Sequence, residues 1–100
     1  MRAIINISSA RLSKMVGWRA RPISVAKSEA TLAEVLGNIS LKDKDETLDQ
    51  IVAEGNGFRE DFSIFIKGTL YIGNKVDMQE VIRDNEQLHL GDWPSETRDA

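Results

Sequence analysis

The sequence predicts a single α+β domain: a mixed sheet of four to five strands, one main helix packed across it and a second short helix. Three observations carry this. Strand-like runs, Arg2–Ser8 and Phe62–Lys67, flank a stretch that carries helical signals. Two helix-capping patterns, Thr31-Leu32-Ala33-Glu34 and Thr47-Leu48-Asp49-Gln50, mark where those helices begin. One hundred residues with 41% apolar and 29% charged side chains suffice for one modest core and leave little room for an enclosed active-site cavity.

In chain order, Arg2–Ser8 is rich in β-branched residues and sets Ala3, Ile5 and Ile7 on one face, which predicts the first strand. Ala10–Gly17 supplies Leu12, Met15 and Val16 before a glycine, and reads as a wide turn or one helical turn. Arg21–Ala26 alternates Ile23 and Val25 with Ser24, and Pro22 near its start is tolerated on an edge strand, so a hairpin with a basic, Trp18-bearing connection is expected. After Thr31, the apolar stripe Leu32, Val35, Leu36 and Ile39 predicts the main helix, weakened beyond Leu36 by Gly37. After Thr47, Leu48, Ile51 and Val52 predict a shorter one ending at Gly55.

Phe62–Lys67 is the strongest strand signal, with Phe62, Ile64 and Ile66 on one face and Phe65 on the other. Gly68-Thr69 turns the chain into Leu70-Tyr71-Ile72, and Val76–Ile82 covers a loop or a turn of helix. Gln87–Leu90 is a closing strand with Leu88 and Leu90 inward and His89 outward. Residues 1–91 are therefore assigned to the domain and 92–100 to a polar, flexible tail. Two strands, a crossing helix and three more short strands make the β-grasp arrangement.

Several functions are excluded or disfavoured. No cysteine is present, which removes disulfides, thiolate metal sites and cysteine nucleophiles, and His89 is alone, so no imidazole cluster can form. Asp43, Asp45, Thr47 and Glu54 fall at four positions of a calcium-loop spacing, but Leu48 stands where that loop requires glycine. No nucleophile elbow, glycine-rich phosphate loop or zinc-hydrolase motif occurs, so the chain is read as non-catalytic, with no cofactor and no metal. Acid pairs such as Glu60-Asp61 diverge at a strand start. With no long apolar stretch and no secretion signal, a soluble cytoplasmic domain is expected.

Charge is unevenly placed. Residues 1–28 hold six basic side chains and no acid, whereas residues 29–100 hold seven basic side chains and all sixteen acids. The basic third lacks the dense Lys/Arg runs and interleaved aromatics of a nucleic-acid groove, which disfavours nucleic acid and suits an acidic protein surface or a larger enzyme subunit. Phe65, Tyr71, His89 and Trp18 are the candidate contacts, with Arg11, Arg19 and Arg21 steering the partner. Trp93, beside Pro94, is expected to pack on its own domain.

The order of motifs resembles that of the MoaD/ThiS-like sulfur carriers, ubiquitin-like β-grasp proteins. Ser9-Ala10-Arg11-Leu12, Val16-Gly17, Ile23-Ser24-Val25 and Ala30–Leu36 are similar to the family's first half. Phe62–Gly68 and Ile82–Leu90 resemble its hydrophobic strand and its closing strand. The resemblance implies docking of partner proteins through the sheet. It also implies a C-terminal Gly-Gly whose carboxylate is adenylated and converted to a thiocarboxylate, and no Gly-Gly occurs in this sequence. A non-catalytic adaptor or subunit is therefore the first expectation. The alternative is a carrier or modifier of the molybdopterin synthase small-subunit type, with an atypical or processed tail.

Overall fold

The computed structural model describes residues 1–94. Five strands form one sheet: β1 (Arg2–Ile7), β2 (Ala20–Ser24), β6 (Phe62–Ile66), β7 (Thr69–Ile72) and β9 (Gln87–Asp92), in the order β2-β1-β9-β6-β7. The two hairpins, β1–β2 and β6–β7, are antiparallel, and β9 lies between them, parallel to β1 and antiparallel to β6. Two small two-stranded pairs complete the framework: β3 (Ala30–Thr31) with β8 (Val81–Ile82), and β4 (Ala53–Glu54) with β5 (Gly57–Phe58).

One face of the sheet is covered. Ala3, Ile5, Ile7, Ile23, Ile64, Ile66, Leu88 and Leu90 are buried there against Leu12, Leu32, Val35, Leu36, Leu48 and Val52 of three short helices. These are α1 (Ala10–Val16), α2 (Leu32–Leu36) and α3 (Leu48–Val52). Phe58, 1% exposed, is the largest side chain enclosed in this core. Burial of this kind drives folding at roughly 25 cal/mol per Å² of apolar surface.

The segment expected to be a wide turn or one helical turn, Ala10–Gly17, is the seven-residue helix α1. Its N-cap Ser9 accepts the Leu12 N–H at 3.1 Å, and Gly17 closes it with φ of 87°, a left-handed conformation that a side chain would oppose. The expected main helix is only five residues long. Asn38 donates through Nδ2 to the Glu34 carbonyl at 2.8 Å, and the chain tightens into Asn38 N–H to Val35 O and Ile39 N–H to Leu36 O contacts at 3.1 and 3.2 Å. Ile39 stays in the core, 1% exposed, although the helix has ended.

Both capping patterns start helices. At α2, Thr31 Oγ1 accepts the Glu34 N–H at 3.2 Å and Glu34 Oε1 accepts the Thr31 N–H at 2.9 Å. At α3, Gln50 Oε1 accepts the Thr47 N–H at 2.8 Å, while the Thr47 hydroxyl turns toward the Asp49 carboxylate. The hydrogen bond from Lys27, then the Thr31 backbone N–H, holds the Glu34 carboxyl below its ordinary value of 4.5. A carboxyl lowered by folding stabilises the fold above its unfolded value, and that contribution is lost as pH falls through the lowered one. Glu34→Gln is thus expected to flatten the acid side of the stability profile while leaving its alkaline side in place, as urea midpoints measured across that range will show.

The closing strand extends two residues past Leu90, into the segment read as the start of the tail. Gly91 pairs with Ser63 and Asp92 with Phe62. Asp92 Oδ1 accepts from the Ser9 hydroxyl at 2.8 Å and from Arg11 at 2.9 Å, which ties the cap of α1 to the end of β9. The Trp93 N–H reaches the Asp61 carbonyl at 2.8 Å. The mobility expected for residues 95–100 concerns positions outside the described residues.

Candidate protein-binding face

The other face of the sheet has no element packed on it among the described residues. Its register aligns one side chain from each strand into a transverse row, Ala20, Asn6, His89, Phe65 and Leu70. Phe65 is 41% exposed and Leu70 47%, two large apolar side chains side by side on open surface. The ring of His89 meets Phe65 edge to face, with centroids 6.1 Å apart at 75°. Ile4 and Ile72, half-buried, flank the row on the same face. The Asn6 amide Nδ2 is shielded from solvent and has no hydrogen-bond partner among the described residues. The outward positions of the five strands include Arg2 and His89 but no carboxylate, although the chain holds sixteen acids.

Of the residues expected from sequence to meet a partner, Phe65 and His89 come together here. Tyr71 does not. It pairs with Ile64, so it lies on the helix-covered face, half-buried against the core, and Leu70 takes the outward place. The hairpin turn explains the difference. Lys67 and Gly68 have φ of 53° and 82°, a two-residue turn that sets Ile66 opposite Thr69 and therefore Phe65 opposite Leu70.

The basic residues also separate. Arg11 forms ion pairs with Asp92 at 2.9 Å and Asp61 at 3.1 Å and lies 4.7 Å over the Phe62 ring. Its guanidinium is held even more firmly charged than usual, chiefly by the hydrogen bond to Asp92 against the opposing effect of burial, with Asp61 adding to it. Its charge is thus met within the chain. Trp18 packs half-buried against the core, with the Arg21 guanidinium 5.2 Å from its ring. Arg21 pairs with Ile5, which puts this couple on the helix-covered side at the β2 edge, and Arg19 is exposed next to it. Trp93 is 40% exposed rather than packed away.

No group of three or more metal-ligating side chains occurs among the described residues, and Thr47 of the calcium-like spacing stands at the start of α3. No helix of the described residues is long and apolar enough to cross a membrane.

The architecture has a solved counterpart. The crystal structure of SAMP1 from Haloferax volcanii matches 92% of this chain and 94% of its own length with a TM-score of 0.62, at 12% sequence identity. The fold is a ubiquitin-like β-grasp. No protein-family model and no curated protein matches the sequence. In β-grasp terms, the helices grip the covered face, and the Phe65–Leu70 row lies on the face they leave open.

Proposed function

We propose that this ubiquitin-fold chain is a non-catalytic, MoaD/ThiS-like binding subunit that docks another protein through the open sheet face. The observation that carries this is the row His89, Phe65 and Leu70, in which two large apolar side chains lie exposed and adjacent on a rigid surface. A face with Arg2 and His89 and no carboxylate suits an apolar patch rimmed by acids on the partner. The motif order over residues 2–90 supports the carrier-like ancestry.

The test begins with affinity capture of the tagged chain from its own cells and identification of the bound protein. Phe65→Ala and Leu70→Ala are each expected to weaken binding of that protein about 30-fold, the effect of losing an interface anchor. Both side chains face solvent, so the unfolding midpoints should move little. Wild-type affinity in both variants would overturn the reading.

The alternative, a carrier or modifier, draws on the closing-strand resemblance of Ile82–Leu90, which leads into the last residues of the chain. Intact mass of the native protein separates the two. A thiocarboxylate, a shortened terminus or an isopeptide-linked adduct supports the carrier, and an unmodified chain through Ala100 supports the adaptor.

A further inference from the structure

The two edges of the sheet are unlike. β2 carries Arg21 and Pro22, and a proline has no N–H to give an incoming strand. β7, Thr69-Leu70-Tyr71-Ile72, carries neither a proline nor a charge, and in the sheet it pairs with β6 alone. Natural sheets blunt the edges they leave unpaired with proline, charge or a covering element. Of the two edges here, β7 has neither proline nor charge.

Where β7 ends, the surface dips into a groove of about 530 Å³ lined by Ile72, Gly73, Trp93 and the acidic residues Glu54, Glu60 and Asp61. Asp61 is met by Arg11 at 3.1 Å and Arg59 at 3.9 Å, whereas Glu54 and Glu60 have no cationic partner among the described residues. Trp93 presents an exposed indole to the same space.

We propose that β7 accepts an extended basic segment of a partner protein as a sixth strand, and that the groove receives a Lys or Arg side chain of that segment. Backbone pairing along β7 supplies the sequence-tolerant part of recognition. Two carboxylates and an indole supply the preference for a cation. An acidic or neutral strand would pair equally well with the edge and leave the groove charges unmet. A second copy pairing β7 on β7 would bring Lys67 toward the groove, and Lys67 is already held by Glu80 at 3.1 Å. This surface adjoins the open face at Leu70 and Ile72 but extends beyond it, because Glu54 and Glu60 lie outside the His89, Phe65 and Leu70 row.

The experiment uses the full chain and fluorescent, end-blocked heptapeptides of alternating valine and threonine, ending in two arginines or in two glutamates. Anisotropy titration should show the arginine peptide binding about tenfold more tightly, the sum expected of two partly exposed ion pairs. Glu54→Gln with Glu60→Gln should erase that preference without altering the fold, and Glu54→Lys with Glu60→Lys should reverse it. Amide shifts on binding should centre on Thr69–Ile72 and Trp93. Equal affinity for the two peptides, no binding of either, or shifts centred on Ala20–Ser24 or on Asn6 and His89 in the middle of the open face would overturn the proposal. So would β7 shifts that appear with protein concentration alone, the sign of self-pairing.

Discussion

Leu88→Ala is expected to lower unfolding stability by about 2–4 kcal/mol. Leu88 is fully buried on the middle strand of the sheet, opposite Ile5 on one side and Ile66 on the other. Removing its side chain leaves a void bordered by both hairpins, and close-packed neighbours on paired strands cannot collapse into it. Against a total of roughly 5–15 kcal/mol for a domain, that loss is large. Urea unfolding followed by circular dichroism measures it, and a change below about 1 kcal/mol would mean that the sheet relaxes around the void.

Gly57→Ala should cost a comparable amount, about 2–3 kcal/mol, by the opposite mechanism. An added Cβ would stand 2.9 Å from the Val76 carbonyl oxygen, 3.1 Å from Asn74 Cα and 3.2 Å from the Gly73 carbonyl oxygen. All three are backbone atoms, so no side chain can swing aside. Relief requires pushing the Gly73–Lys75 turn off β5, and Gly73 and Asn74 also line the groove beside Trp93. Gly55→Ala is the informative control. Its φ of 60° strains a side chain, by about 1–2 kcal/mol, but nothing lies within 4 Å. Urea midpoints of the two variants, together with amide shifts confined to Gly73–Val76 in the first alone, separate overlap from strain.

The long-period signals were legible in the sequence. Alternation in Arg2–Ile7 and Phe62–Ile66, and the two capping patterns, located four of the principal elements because each is repeated over several residues. Short elements were not legible. Val81–Ile82 and Ala53–Glu54 are two-residue strands that exist because a distant partner reaches them, and two residues carry no period. Helix α1 reads in the sequence as a wide turn or one helical turn even though Ser9 and Gly17 bracket it at both ends, since seven residues scarcely register as a stripe. At the candidate site, alternation placed Phe65 and His89 outward correctly. Sequence alone points to Tyr71 as a contact and not to Leu70, because their faces depend on the length of the turn before them. Register counted through the two residues Lys67-Gly68 would have given Leu70. Arg11 illustrates another limit: its acidic partners are 50 and 81 positions away, at Asp61 and Asp92.

The middle strand of the sheet is also the last one made. Ile4 pairs with Gln87 and Ile7 with Leu90, so the junction between the two hairpins joins segments more than 80 positions apart, at the two ends of the described domain. During synthesis, a nascent chain stopping short of Gln87 holds two separate hairpins with no strand to seat between them, and their apolar faces stay open to chaperones and proteases. The domain therefore completes its sheet only after its last strand has been translated. Its sheet closes only when six late residues, Gln87–Asp92, have emerged to pair with both hairpins.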